Sequence, residues 1–177
     1  MRKLVNGIDT VLKWLVIIFM GANVINVLWQ VFTRFILNDP STFTEELARY
    51  LLIWVSFLGA AYIYREKLHL AVEAFFDKMK ERTQYKVQIF LQICVFLFSL
   101  IVLVIGGYDL TSLTFQMDQV SPALQINIGY VYMVVPISGI LFMFYSAMFV
   151  NEYGKSLKGQ PSEILKELET SKTQSAE

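Results

Sequence analysis

The stretch Arg34-Phe-Ile-Leu-Asn-Asp-Pro-Ser-Thr-Phe-Thr-Glu-Glu-Leu-Ala-Arg49 gathers opposed charges between two long apolar runs. Arg34 closes the first run, and Glu45, Glu46 and Arg49 open the second. Between them, Asn38-Asp39-Pro40-Ser41 is turn chemistry. The spacing predicts a helical hairpin whose turn returns a cation beside two carboxylates. Thr42, with Glu45 three residues on, has the spacing of a capping box, and both glutamates complement the positive end of the second helix.

Outward from this turn the chain reads as membrane. It has 177 residues, 55% hydrophobic and 17% charged, with a mean hydropathy of +0.50, whereas soluble domains carry about 25% charged residues. A helix needs roughly 20 mostly apolar residues to cross about 30 Å of hydrocarbon. Four stretches meet this, at about 11–37, 47–64, 87–108 and 126–150. The expected fold is an all-α integral membrane protein with a four-helix transmembrane domain over 1–155 and a polar tail over 156–177.

The net charge is zero, so placement carries the information, and no nucleic-acid partner is expected. Of the 15 Lys and Arg, 13 fall before the first span, between the second and third, and in the tail; two, Arg34 and Arg49, flank the first turn. The positive-inside rule then makes both termini and the middle connection cytoplasmic, and the first and third connections outward. The first apolar run is too long for a signal-peptide core and lacks an Ala-x-Ala exit, which predicts an uncleaved first span.

Within the first span, Asn23, Asn26, Gln30 and Arg34 fall within about a third of the helix circumference, a stripe expected to face other helices. Ser56, Gly59 and Ala60, followed by Ala61, predict close helix packing along the second span. The middle connection is not a plain loop. Leu68, Val72, Phe75, Phe76 and Met79 share one helical face, and His69, Glu73, Asp77 and Lys80 the other. This predicts an amphipathic helix over about 67–80, lying in the cytoplasmic interface with its phenylalanines among membrane lipids. The third span is nearly featureless. Pro136 is expected to kink the fourth or be satisfied by its neighbours.

Enzyme chemistry finds no footing. There is no Gly-rich phosphate loop, a single Cys94 inside a span, and one histidine, His69, which lacks the partners a metal or haem would need. No catalytic residue, metal site or cofactor is expected. A self-sufficient ion-coupled carrier wants an ionisable residue or a broken helix near the midplane, and here the acids cluster at membrane edges. Arg34, Glu45, Glu46 and Arg49 therefore read as a structural charge cluster fixing the hairpin, or as a contact for another polypeptide.

The run Phe43-Thr-Glu45-Glu46-Leu-Ala-Arg49, then Trp54-Val-Ser-Phe-Leu-Gly59-Ala60-Ala61, Arg65, and His69-Leu-Ala-Val-Glu73, resembles the small membrane subunit of tripartite ATP-independent periplasmic (TRAP) transporters. Ser121-Pro-Ala-Leu-Gln-Ile-Asn-Ile-Gly-Tyr130 leading to Pro136 is similar to the approach to that family's fourth helix. Phe43 stands where the family often has Trp, and Glu73 where Asp is frequent; both keep the chemical class. The resemblance implies a multi-pass protein of the bacterial inner membrane with no transport site of its own. It would bind a larger membrane subunit that moves substrate and sodium by an elevator motion, served by a periplasmic substrate-binding protein that delivers a sialic acid or C4-dicarboxylate. The small subunit would extend and anchor the static scaffold. A small autonomous homodimeric transporter is the alternative.

Overall fold

A computed structural model describes residues 2–38, 41–76 and 81–157, with side chains described for 5–38, 41–65 and 83–157. Among these residues the chain is helical, without strands. The elements are α1 (Arg2–Phe35), α2 (Thr42–Phe76), α3 (Glu81–Phe98), a π-helical segment (Ser99–Gly106), α4 (Gly107–Gln116), α5 (Gly129–Tyr132) and α6 (Val134–Leu157). Four stretches are long and apolar enough to cross a membrane: Val5–Phe35, Thr42–Arg65, Thr83–Gln116 and Gly129–Leu157. The four-span fold read from hydropathy is therefore present, with longer helices. The third stretch runs α3, the π segment and α4 together as one rod.

α1 packs along α2, α2 also meets α6, and α6 lies against α3 and the π segment. The spatial order is thus α1, α2, α6, third rod, with the last span inserted between the second and third. Large apolar side chains cover the outside. On α1 alone Trp14, Ile18, Ile25, Leu28 and Phe35 are exposed, Ile25 to 70%, which is tenable for a surface that meets acyl chains rather than water. The buried cluster of Leu12, Leu58, Val134, Tyr145, Phe149 and Tyr153 joins α1, α2 and α6, with Phe19 and Trp54 edge-to-face at 5.7 Å beside it.

Hydrophobicity does not pull helices together in lipid, so close packing must, and the residues that permit it are not those expected. Ala61 is fully buried, but Ser56 and Ala60 are exposed, and a Cβ placed on Gly59 would meet nothing within 4 Å. The close approach lies between the third and fourth spans instead. A Cβ on Gly139 of α6 would fall 2.7 Å from Leu103 Cβ, and one on Gly107 would fall 2.9 Å from Val135 Cγ1. The third span is correspondingly less plain than it reads: its π turn carries Leu103 and Val104 against Gly139, and Gln92 and Ser99 are buried.

Pro136 also behaves differently from a mid-span kink. The fourth span opens with the single turn α5, breaks at Met133 and restarts as α6 at Val134, which puts Pro136 in a first turn, where a missing N–H leaves no helical bond unmade. At the hairpin, Asn38 adopts φ 53°, the left-handed conformation that ends helices. The interfacial helix expected over 67–80 reaches beyond what is described. Its backbone to Phe76 continues α2 without a break, residues 77–80 lie outside the described residues, as do the side chains of His69, Val72, Glu73, Phe75 and Phe76.

Gly139→Ala should lower the apparent melting temperature of the purified protein, at a cost of about 1–3 kcal/mol for overpacking. Gly59→Ala should leave it unchanged or raise it. Thermal unfolding in detergent, followed by circular dichroism, compares the two, and equal behaviour would contradict the packing described.

Candidate functional site

The described polar groups concentrate at the two ends of the bundle. At the turn end, Glu46 lies one turn into α2 and reaches across to the connection before α5. Its Oε2 accepts from the Ser121 hydroxyl, from Ala123 N at 3.1 Å and from Leu124 N at 3.0 Å. Convergent N–H donors of a tight turn make a natural cradle for a carboxylate. The turn is held in shape by its own bonds: Ser121 N to Ile126 O at 2.9 Å, Gln125 N to Ser121 O at 3.0 Å, and Ile128 N to Gln119 O at 2.9 Å. Asp118 and Gln125 take positive φ values of 46° and 53° to close it. Asn127 completes it, accepting from Gly129 N at 2.8 Å.

Beside this cradle is a depression of about 310 Å³, lined by Thr42, Glu45, Glu46, Arg49, Pro122 and Ala123. Glu45 and Arg49 pair at 3.6 Å, both side chains 64% exposed, an arrangement that contributes little by itself where water reaches it. The structure brings these residues together but leaves Arg34 apart. Among the described residues Arg34 meets no carboxylate, and its guanidinium lies 5.9 Å from the ring centre of its neighbour Phe35. The reason is helical phase. Buried Thr33 occupies the face of α1 turned to α2, and Arg34 stands about 100° further round.

What joins α1 to α2 here is an amide. Asn26, buried, donates through Nδ2 to the Thr44 carbonyl at 2.7 Å. Of the rest of the expected stripe, Asn23 and Gln30 are half-buried, and Gln30 lends its main-chain carbonyl to the Thr33 hydroxyl at 3.0 Å. Ser56 bonds its own helix, donating to Leu52 O at 2.7 Å.

At the opposite end, sequence reading missed the central residue. Asp9 of α1 is buried; it pairs with Arg65 of α2 and accepts from the Tyr145 hydroxyl of α6 at 2.7 Å. Nearby, Tyr64 donates to the Gln92 side chain, whose main-chain carbonyl accepts from Ser146 Oγ at 2.5 Å. A signal for Asp9 existed. It stands among Val5, Ile8, Leu12 and Val16 on the apolar face of α1, where a lone acid needs a partner. Among the described residues no three His, Cys, Asp or Glu side chains gather to hold a metal ion.

The family model described as tripartite ATP-independent periplasmic transporters, DctQ component, matches residues 23–152. The chain belongs to this family. Its members are transporter permease subunits rather than enzymes, and the four apolar helices agree with a multi-pass protein of the bacterial inner membrane. The chain is 32% identical over 109 residues to the sialic acid TRAP transporter small permease protein of Vibrio cholerae, a match covering 62% of this chain and 61% of that protein. It is 26% identical over 156 residues, 87% of this chain and 92% of the relative, to a putative TRAP transporter small permease protein of Haemophilus influenzae. It is also 31% identical over 98 residues, 55% of this chain, to the isethionate TRAP transporter permease protein DctMQ of Oleidesulfovibrio alaskensis, of which those residues make up 15%. The DctQ match includes Glu46, Arg49, Arg65, Ser121 and Tyr145 and leaves Asp9 outside.

Glu46→Ala would leave the Ser121 hydroxyl and Ala123 N–H without their acceptor and Leu124 N–H with only Ser121 Oγ at 3.3 Å, and should lower the melting temperature clearly, while Arg34→Ala should shift it by less than about 1 °C. A melting experiment on the two variants checks this; equal shifts would remove the distinction drawn between these charges.

Proposed function

We propose that this DctQ-family chain is the non-catalytic small subunit of a sodium-driven, binding-protein-dependent TRAP transporter for organic acids. It would extend and anchor the static scaffold of a larger membrane subunit. The observation that carries this reading is where the charges go. Glu46 and Arg65 are 19 residues apart on α2, about 28 Å along the axis, close to the roughly 30 Å of the hydrocarbon slab. Each is engaged within the chain at its own edge, a distribution suited to holding helices in place rather than to passing an ion through the middle.

The larger partner is supported by the Oleidesulfovibrio relative, in which sequence similar to this chain is a minor part of one longer permease protein. Both termini lie in the cytoplasm on this reading, following the basic residues, and the Glu46 cradle faces the periplasm, where a substrate-binding protein arrives. The substrate is an organic acid: a sialic acid, as named for the Vibrio relative, or a C4-dicarboxylate.

Co-expression with a large TRAP membrane subunit tests the proposal. The two should co-purify in detergent and, reconstituted in liposomes, take up the organic acid under an inward sodium gradient only when combined with the binding protein. Elution alone, or uptake by the purified chain by itself, would reject the small-subunit reading, and the latter result would favour an autonomous transporter.

A further inference from the structure

The buried group at the terminus end has no part in the turn-end cradle. Asp9, Arg65 and Tyr145 come from three different spans. The Asp9 side chain is 11% exposed and that of Arg65 30%, and Tyr145 is fully buried. A carboxylate and a guanidinium so placed must be satisfied by each other and by further hydrogen bonds, and removal of either strands the other. The Tyr145 hydroxyl supplies such a bond to Asp9 Oδ1.

The position of the pair matters as much as its chemistry. Arg65 opens the charged run Arg65-Glu66-Lys67 that closes the apolar stretch of α2 in the sequence, while the helix itself continues to Phe76. The pair therefore grips α2 where it leaves the apolar slab. Glu46 grips the same helix at its other end, through the turn that leads into α5 and α6. α2 is thus tied to α1 at both ends, through Asn26 at one and Asp9 at the other, and reaches the fourth span indirectly, by way of the Ser121–Leu124 turn at one end and of Asp9, held by Tyr145, at the other. A helix held at one end only can pivot; one held at both cannot tilt without breaking a desolvated polar contact.

We propose that Asp9 and Arg65 are positioning residues for transport: with Tyr145 they close the second tie on α2, so that the first, second and fourth spans stay one body while the larger subunit works against them. This rests on the small-subunit reading above. It assigns a role in turnover to residues that touch neither substrate nor ion.

The test uses the complete transporter in liposomes, with the amount of assembled complex measured for each variant. Asp9→Asn and Arg65→Gln are expected to assemble within twofold of the wild type and to lose at least fivefold in maximal uptake, at an unchanged half-saturating concentration of loaded binding protein. The charge swap Asp9→Arg with Arg65→Asp is expected to recover at least half of the maximal rate. Full uptake by either single variant overturns the proposal, as does a loss that appears only in the half-saturating concentration, or no recovery in the swap. If the single variants do not assemble, Tyr145→Phe decides, because it keeps the ring and removes only the hydroxyl. A two- to threefold lower maximal rate supports the proposal and an unchanged rate overturns it. Absence of uptake by the wild-type complex would instead reject the small-subunit reading itself.

Discussion

Inside a slab of hydrocarbon no water is available to satisfy a polar atom, so each donor or acceptor must be answered by the protein. Most polar groups described in the spans are answered in one of two ways. Several hydroxyls bond their own helix: Ser56 to Leu52 O, Thr111 to Gly107 O, Thr114 to Leu110 O and Ser138 to Val135 O, whereas those of Tyr64, Tyr145 and Ser146 reach another. Amides and charges cannot be hidden that way and reach across to another helix, as Asn26, Gln92, Glu46 and Arg65 do. The cross-helix bonds are then the features that decide which helices are neighbours.

That division places the two kinds of packing in different parts of the molecule. α1 and α2 are joined through polar contacts near both ends and apolar packing between. The third rod and α6 meet through glycines, with Gly107 and Gly139 admitting neighbouring side chains to distances no Cβ would allow. The first arrangement sets angles and depth; the second sets distance. Together they fix both the angle and the spacing between neighbouring helices.

The four spans were legible in the sequence because each is a long apolar run, and a run of that length has few alternatives. The hairpin is legible from Asn38 to Ser41, and so is Glu46 as a charge beside that turn. Its partner is not. The stretch from Ser121 stands out only through the family resemblance, and nothing in a linear string says that a turn 75 residues away will aim its N–H groups at a carboxylate. Arg34 was grouped with the acids because it is near them in sequence, whereas helical phase turns it away. Asp9 is not legible as a buried acid because the apolar run that marks the first span starts at residue 11, two positions after it, whereas α1 starts at Arg2. The glycine packing was sought at Gly59-Ala60-Ala61, where small residues cluster; the structure uses isolated glycines, whose effect depends on what stands opposite.

The neighbour order α1, α2, α6, third rod also has a meaning in time. The contacts that close the bundle join residues far apart in the chain, 136 positions for Tyr145 with Asp9 and 77 for Ala123 with Glu46. During synthesis the first three spans are made before the residues that complete these contacts exist. Asp9 waits for Tyr145, Glu46 for Ser121, and Gln92 for Ser146. The slot between α2 and the third rod is filled by the helix made last, so the bundle is finished from its middle, by a keystone span that answers polar groups from all three of the others.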